Sequence, residues 1–254
     1  MKKNILLTIE YDGSVFHGWQ RQPDMPTVQG YLEQTLSSLL GSSITLNGTS
    51  RTDAGVHAYA QRASFTADVK IPVEKLAMVV NNSLASREKG PFAASPVRII
   101  KAEEKSADFH ARFDCKGKKY IYRILNAESA DVFVRNYVYH VAKPLDTDAM
   151  RRAAGYLEGT HDFKSFEAAG GTPRETTVRT IYGISVTGDR NIEIHVSGDG
   201  FLYNMVRIIA GTLTDIGAGK IAPEKMKDII DAADRSAAGH TAPPYGLYLA
   251  EVYY

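Results

Sequence analysis

The residues best suited to chemistry lie in Arg51-Thr52-Asp53-Ala54-Gly55-Val56-His57-Ala58, where a guanidinium and a carboxylate flank one small polar residue beside an Ala-Gly pair. On extended backbone, residues i and i+2 point to the same side, so Arg51 and Asp53 can face one substrate. Glycine lets the chain turn tightly or lets a ligand approach the backbone. An unperturbed Asp titrates at about 3.9, which leaves Asp53 ionised at neutral pH and fit to act as nucleophile or base. The same residues also suit a plain turn, with Asp53 bonding its own backbone and Arg51 in water.

Two further stretches carry reactive side chains. Phe109-His110-Ala111-Arg112-Phe113 through Lys116-Gly117-Lys118-Lys119-Tyr120-Ile121-Tyr122-Arg123 holds five Lys or Arg against one Asp, interleaved with four aromatics. Strand alternation puts Tyr120 and Tyr122 on one face, Ile121 and Arg123 on the other. Cations with aromatics on an open sheet suit phosphate pairing and base stacking; a solvated strand edge guarded by lysines has the same composition. In Gly200 to Leu213 the one charge is Arg207, set in a helix apolar nearly all round. Such a helix is buried, and an arginine cannot shed its proton to escape burial. Arg207 therefore either pairs with an acid, Asp53 being a candidate, or caps carbonyls and reaches past its stem to water. A pair would hold Asp53 ionised, lowering its pKa by about 1–3 units.

These groups must be positioned by a folded scaffold, and the chain supplies one. Asn4 to Tyr11 reads as a strand ended by Asp12-Gly13, and Val28 to Leu40 as a helix entered at Thr27 and stopped by Gly41. Ile44 to Ser50 and Tyr59 to Thr66 read as strands on either side of the Asp53 loop. A helix opened by Pro72 and a strand from Val97 to Ala102 follow. The order strand, helix, strand, strand, helix, strand is a split βαβ unit, with both helices on one face of an antiparallel sheet and the other face open. The second half repeats it loosely: a strand from Lys119 to Leu125, a helix from Asp146 to Glu158, and a hairpin of Val178–Val186 and Ile192–Val196. Helices from Leu202 to Ile216 and Pro223 to Ala232 precede a closing strand from Leu247 to Tyr253. The fold expected is α+β, with halves spanning 1–105 and 106–254 and the open face of the sheet free for a ligand. Trp19, in a glycine-broken loop, either roofs the core or lines a site for a base.

With 44% hydrophobic and 23% charged residues the composition is that of an ordinary globular protein. A net charge of +1 gives no global field for nucleic acid, so any basic surface is local. The seven histidines fall at no local ligand spacing and there is one cysteine, so neither a zinc site nor a disulfide framework is expected. Gly217-Ala218-Gly219-Lys220 fails as a phosphate loop, with Thr214 where Gly is needed and Ile221 where Ser or Thr is needed. No apolar signal core and no spanning stretch is present, which points to the cytoplasm and away from membranes.

The motifs taken together resemble the TruA family of tRNA pseudouridine synthases. The matching pieces are Tyr11-Asp12-Gly13 with Gly18-Trp19-Gln20, Arg51 to Ala58, Phe109 to Phe113, Tyr120, Gly200 to Arg207, and Ala238-Gly239 through Thr241-Ala242-Pro243-Pro244 to Gly246-Leu247-Tyr248-Leu249, in family order along the whole chain. Ser50 stands where the family usually has Gly, and Ile208 where some members carry a polar residue. The resemblance implies two fused ferredoxin-like, RRM-like halves with an RNA-binding cleft on the open face, and isomerisation of uridine to pseudouridine at positions 38 to 40 of the tRNA anticodon arm, without cofactor or metal, by a homodimer that grips each tRNA with both subunits. It implies Asp53 as nucleophile, Tyr120 packing on the target base, Arg207 as partner of Asp53, and Arg51 flipping the nucleotide or filling its place. His57, Arg112, Lys118, Lys119 and Leu202 complete the expected substrate-binding set. Attack on the sugar, attack on the base and proton abstraction are all open to the carboxylate. An idle RNA-binding module of two RRM-like halves would explain the basic strand but not Asp53 and Arg207; a nucleotide-binding metabolic enzyme lacks its phosphate loop.

Overall fold

The computed structural model describes residues 2–88, 94–171 and 175–254. The chain forms two compact units. One ends at Lys116 and takes back Leu249–Tyr254, and the other is Gly117–Tyr248. The expected boundary at 105/106 falls at the end of a strand, Lys105, inside the first of these units. Both units are mixed α/β, built on mostly antiparallel strands with helices.

In the first unit β1 (Lys3–Tyr11), α1 (Val28–Leu40), β2 (Asn47–Gly48), β3 (His57–Ala67), α2 (Val73–Ala85) and β4 (Val97–Lys105) succeed one another. Strand order is β4-β1-β3, with β2 also on β3, and β10 (Leu247–Tyr253), whose residues from Leu249 belong here, beside β3. β1 sits between its neighbours with Ile5, Leu6, Leu7 and Ile9 fully buried, which its continuous apolar run requires. The helices bury the stripes their spacing predicts, Val28, Leu32 and Leu36 on α1 and Leu76, Val80 and Leu84 on α2. Thr27 caps α1 through Gly30 N–H at 3.3 Å, and Gly41 ends it in the left-handed region. A bulge in β4 shifts its pairing with β1 between Thr8 and Ile9. Asn81 on α2 answers it: its amide donates to the Ile99 carbonyl at 2.9 Å and accepts from Ile99 N–H at 2.7 Å.

The strand expected over 44–50 is only β2. The polar groups before it are taken by α1 side chains instead of a ladder: Ile44 N–H by Ser37 Oγ (2.9 Å), Leu46 N–H by Glu33 Oε1 (2.8 Å), and the Leu46 carbonyl by Gln29 Nε2 (3.1 Å). Trp19 is buried, tilted against Tyr11 at 6.1 Å, so of its two readings the core one holds.

The second unit contains β5 (Gly117–Asn126), β6 (Tyr139–Val141), α3 (Thr147–Gly155), β7 (Gly159–Asp162), β8 (Val178–Thr187), β9 (Asn191–Gly198), α4 (Met205–Gly217) and α5 (Lys225–Ala232). The order is β5-β9-β8-β7, with β6 parallel to β5. Tyr122, Ile124, Ile192, Ile194 and Val196 are buried on one face, where α3 packs on β8 and α4 on β5. β6 and β7 escape sequence reading because, at three and four residues, they are too short to show a period. The helix expected from Leu202 starts at Met205, because Asn204 adopts a left-handed conformation, φ 59°, that no helix interior accepts.

Asn81→Ala leaves both backbone groups of Ile99 at the bulge without their partner. The expected loss is about 1–3 kcal/mol for stranded polar groups, read as a lower urea midpoint with an unchanged slope. An unmoved midpoint would show that solvent replaces the amide.

Candidate active site

The Asp53 loop joins β2 to β3 and is fixed at each end by side chains from elsewhere in the first unit. Before it, the buried Gln61 amide accepts from Ser50 N–H at 3.2 Å and donates to the Ser50 carbonyl at 2.7 Å. At its centre Thr52 is turned inward, its hydroxyl 2.7 Å from that of Tyr11 and its carbonyl accepting from Trp19 N–H at 3.0 Å. Burial along Arg51-Thr52-Asp53 is exposed, buried, half-buried, the alternation expected of extended backbone. After Asp53 the chain turns, with Val56 N–H donating to the Asp53 carbonyl at 3.2 Å and Gly55 N–H to the Phe16 carbonyl at 3.4 Å.

Two glycines make this seat. A Cβ on Gly18, where φ is +88°, would lie 2.6 Å from the Thr52 carbonyl oxygen, and one on Gly13 would lie 2.0 Å from that of Val56. The motifs around Tyr11 and Trp19 therefore serve as the backbone cradle of the loop. His57 belongs to the same support. It is 2% exposed and its Nδ1 accepts from Gly13 N–H at 3.1 Å, which places the ring proton on Nε2 in the neutral form. Asp12 Oδ1 lies 3.3 Å from the same nitrogen.

Arg112 is exposed on a turn tied to the foot of the loop. The Ala111 carbonyl accepts from Thr49 Oγ1 and from the Tyr254 hydroxyl, each at 2.9 Å, and Ala111 N–H donates to Ser64 Oγ at 3.1 Å. Burial pushes the Tyr254 phenol up to about 12, so it stays a neutral donor.

In the second unit Tyr120 is 8% exposed on β5, its ring meeting the Phe201 ring edge-on at 5.2 Å. Tyr122, on the same face, donates its hydroxyl to the Pro243 carbonyl at 2.7 Å, and burial drives its titration far above the usual phenol range. Lys118 and Lys119 are half-buried on β5. Lys119 borders an open recess of about 460 Å³ lined also by Glu158, Ser185 and His195. Leu202 is buried in the turn that leads to α4, its N–H toward Met205 Sδ at 3.5 Å.

Arg207 is half-buried, not enclosed as an all-apolar helix suggested. Its Nε donates to the Ala242 carbonyl at 2.8 Å and one terminal nitrogen to Asn204 Oδ1 at 2.8 Å. Carbonyl capping, one of the two readings of this residue, is thus present. Asn204 has two tasks, since Asn tolerates the left-handed region and its amide oxygen also orients the arginine one turn on.

Arg51, Asp53, His57 and Arg112 belong to the first unit; Lys118, Lys119, Tyr120, Leu202 and Arg207 belong to the second. Within the first, the loop brings Asp53, His57 and the Arg112 turn onto one framework. Within the second, Tyr120 meets Phe201 at the head of the Arg207 segment. Sequence reasoning missed the roles of Gln61, which bonds the Ser50 backbone through its amide, Asn204, which meets Arg207 through its amide oxygen, and Ala242, which acts through its carbonyl. Only Asn204, a turn-former just before an apolar helix, left a signal.

The sequence family described as tRNA pseudouridine synthase matches residues 7–114 and 153–254. Over 254 residues the chain is 48% identical to tRNA pseudouridine synthase A of Ruminiclostridium cellulolyticum, covering 99% of this chain and 100% of that one. It is 46% identical to tRNA pseudouridine synthase A 2 of Clostridium perfringens, again covering 99% of this chain and 100% of the relative. Among solved structures, an archaeal box H/ACA sRNP Nop10-Cbf5 complex aligns with a TM-score of 0.36 at 11% identity, covering 91% of this chain and 59% of that one.

Gly18→Ala adds a methyl group against the Thr52 carbonyl at a backbone angle that alanine disfavours. The expected cost is about 1–3 kcal/mol, seen as a melting temperature lower by roughly 2–4 °C per kcal/mol. A variant as stable as the parent would mean that the loop yields, and that the seat is not rigid.

Proposed function

The chain belongs to the tRNA pseudouridine synthase family and is an isomerase acting on tRNA; we propose that it converts uridine to pseudouridine at positions 38 to 40 of the anticodon arm, with Asp53 as nucleophile. In this reaction the bond between N1 and the sugar breaks, the base turns, and a bond from C5 to the same sugar carbon forms. The C5 proton leaves and N1 ends protonated, so atoms balance with nothing oxidised or hydrolysed.

The observation that carries the proposal is the pinning of Thr52 inward in a short loop seated on backbone, with Arg51 exposed and Asp53 half-buried on either side of it. A carboxylate that attacks or takes a proton must be held in reach of its target, and a loop seated in this way fixes the backbone that carries it. In this reading Tyr120 packs on the target base, Arg207 pairs with Asp53 and keeps it ionised, and Arg51 moves the nucleotide out of its stack or takes its place. Extrusion costs a few kcal/mol, offset by phosphate contacts from Arg112, Lys118 and Lys119. Leu202 lines the base pocket and helps keep water from the opened sugar. His57, buried on Gly13, acts by holding the loop.

Both halves are read as split-βαβ, RRM-like units, a reading supported in the first by the order β4-β1-β3 with α1 and α2 in the two crossovers. We read the protein as a cytoplasmic homodimer in which each tRNA is held by both subunits. No helix among the described residues is long and apolar enough to cross a membrane.

Incubation with unmodified tRNA and no additive, followed by mapping of pseudouridine, tests the activity and its positions together. Modification confined to another arm would defeat the anticodon assignment. Asp53→Asn is near-isosteric but can neither attack nor accept a proton. It should abolish product in single-turnover assays while tRNA binding stays within a few-fold; substantial residual turnover removes the nucleophile role.

Tyr120→Phe should cost far less than Tyr120→Ala, because a ring stacked on a base is worth roughly 1–3 kcal/mol. Equal losses would transfer the role to the hydroxyl.

A further inference from the structure

Residues 235–243 run opposite in direction to α4 and are bonded to it at three levels. At the first, Ala242 N–H donates to the Arg207 carbonyl at 3.1 Å while Arg207 Nε returns a bond to the Ala242 carbonyl at 2.8 Å. At the second, Gly239 N–H donates to Thr212 Oγ1 at 3.0 Å, and the strap passes so close that a Cβ on Gly211 would lie 1.8 Å from the His240 carbonyl oxygen. At the third, Asp215 Oδ2 accepts from His240 Nδ1 at 2.9 Å and from His240 N–H at 3.3 Å. Arg235 closes the bend by donating to the Ala238 and Gly239 carbonyls at 3.3 and 2.9 Å.

The third level is the charged one. The other Asp215 oxygen holds Lys220 Nζ at 2.7 Å, and His240 Nε2 is 3.3 Å from the Tyr139 hydroxyl. Burial raises the Asp215 titration, but hydrogen bonds from Lys220 and His240 outweigh it and hold the carboxyl below its ordinary range. Asp215 is therefore an anion at neutral pH. Burial and that negative charge push the Tyr139 phenol up, which keeps it neutral. A tether of this kind, only two residues from Ala242, fixes where the carbonyl that holds Arg207 stands.

We infer that Asp215 and His240 are positioning residues for the reaction: their pair locks the strap against α4 so that the Ala242 carbonyl aims the Arg207 guanidinium, and they act on turnover only through that side chain. The inference rests on the reading of Arg207 as the partner of Asp53. A further stability clamp would move folding and leave chemistry alone. A positioning pair moves kcat at constant KM, and its effect disappears when the aimed group is changed.

His240→Ala should lower kcat about tenfold or more, since displacement by 1 Å costs on the order of 10²-fold, with KM for tRNA within about twofold of wild type. His240→Asn keeps a donor near the Nδ1 position and should recover most of the loss; His240→Gln, bulkier than alanine but with its donor farther out, should not. Lys220→Ala, which changes the other oxygen of Asp215, should leave kcat within about twofold. With nitrogen-15 arginine labelling, the Nε–H resonance of Arg207 should move in His240→Ala and His240→Gln and return in His240→Asn. In an Arg207→Lys background, which lacks Nε, His240→Ala should add no further loss in kcat. An unmoved Arg207 resonance, or equal kcat losses in both backgrounds, overturns the inference. Wild-type kcat in Arg207→Ala would instead overturn the reading of Arg207, and the resonance shifts would still decide whether the strap aims it.

Discussion

The first unit is organised around one buried contact, the Tyr11 hydroxyl against Thr52 Oγ1 at 2.7 Å. A single neutral hydrogen bond contributes only about 1 kcal/mol net, but a buried hydroxyl left without a partner costs about 1–3 kcal/mol. The asymmetry gives the contact its influence. Thr52 cannot turn outward without breaking that contact, and while it faces inward Arg51 is exposed and Asp53 half-buried on either side of it. Glycines at 13 and 18 then become a consequence, because the cradle has to come within a backbone's width of the loop. The same logic makes Gln61 necessary: a chain leaving a two-residue strand has lost its ladder, and the Gln61 amide supplies both bonds for Ser50. Ser50 also carries a cost, since its Oγ is buried without a partner where a glycine would have no hydroxyl to bury.

The elements with long apolar periods were legible in the sequence: β1, β3, the stripes of α1 and α2, and the β8–β9 hairpin lie within a residue or two of where spacing puts them. Where reading failed, tertiary partners had replaced local signals. Ile44 to Leu46 look like strand by residue type, yet Ser37, Glu33 and Gln29 capture their backbone groups. No local rule foresees that three side chains of a preceding helix will do so. The start of α4 was misplaced for a simpler reason, a left-handed asparagine inside an apolar run. In the candidate site, reactive side chains were visible as types and spacings, while the groups that aim them were hidden because they are main-chain atoms, as at Ala242, or side chains brought in from other elements, as with Tyr11 and Gln61. Nothing in the letters at 242 announces a carbonyl that holds an arginine.

Arg207 shows why burial alone was a poor guide. An apolar helix argued for full enclosure, which would force the guanidinium onto an acid because an unpaired buried charge costs several kcal/mol. Arg207 is half-buried, and two neutral oxygens, from Ala242 and Asn204, take part of its five-donor fork. Neutral acceptors orient a guanidinium without cancelling its charge. A carboxylate in the same places would have fixed the direction equally well while spending the positive charge locally. The charges that the strap does need are placed at the far end of α4, at Asp215, Lys220 and His240, two turns from the arginine. The aiming of Arg207, by Ala242 and Asn204, is thus separated along α4 from the anchoring of the segment that carries Ala242.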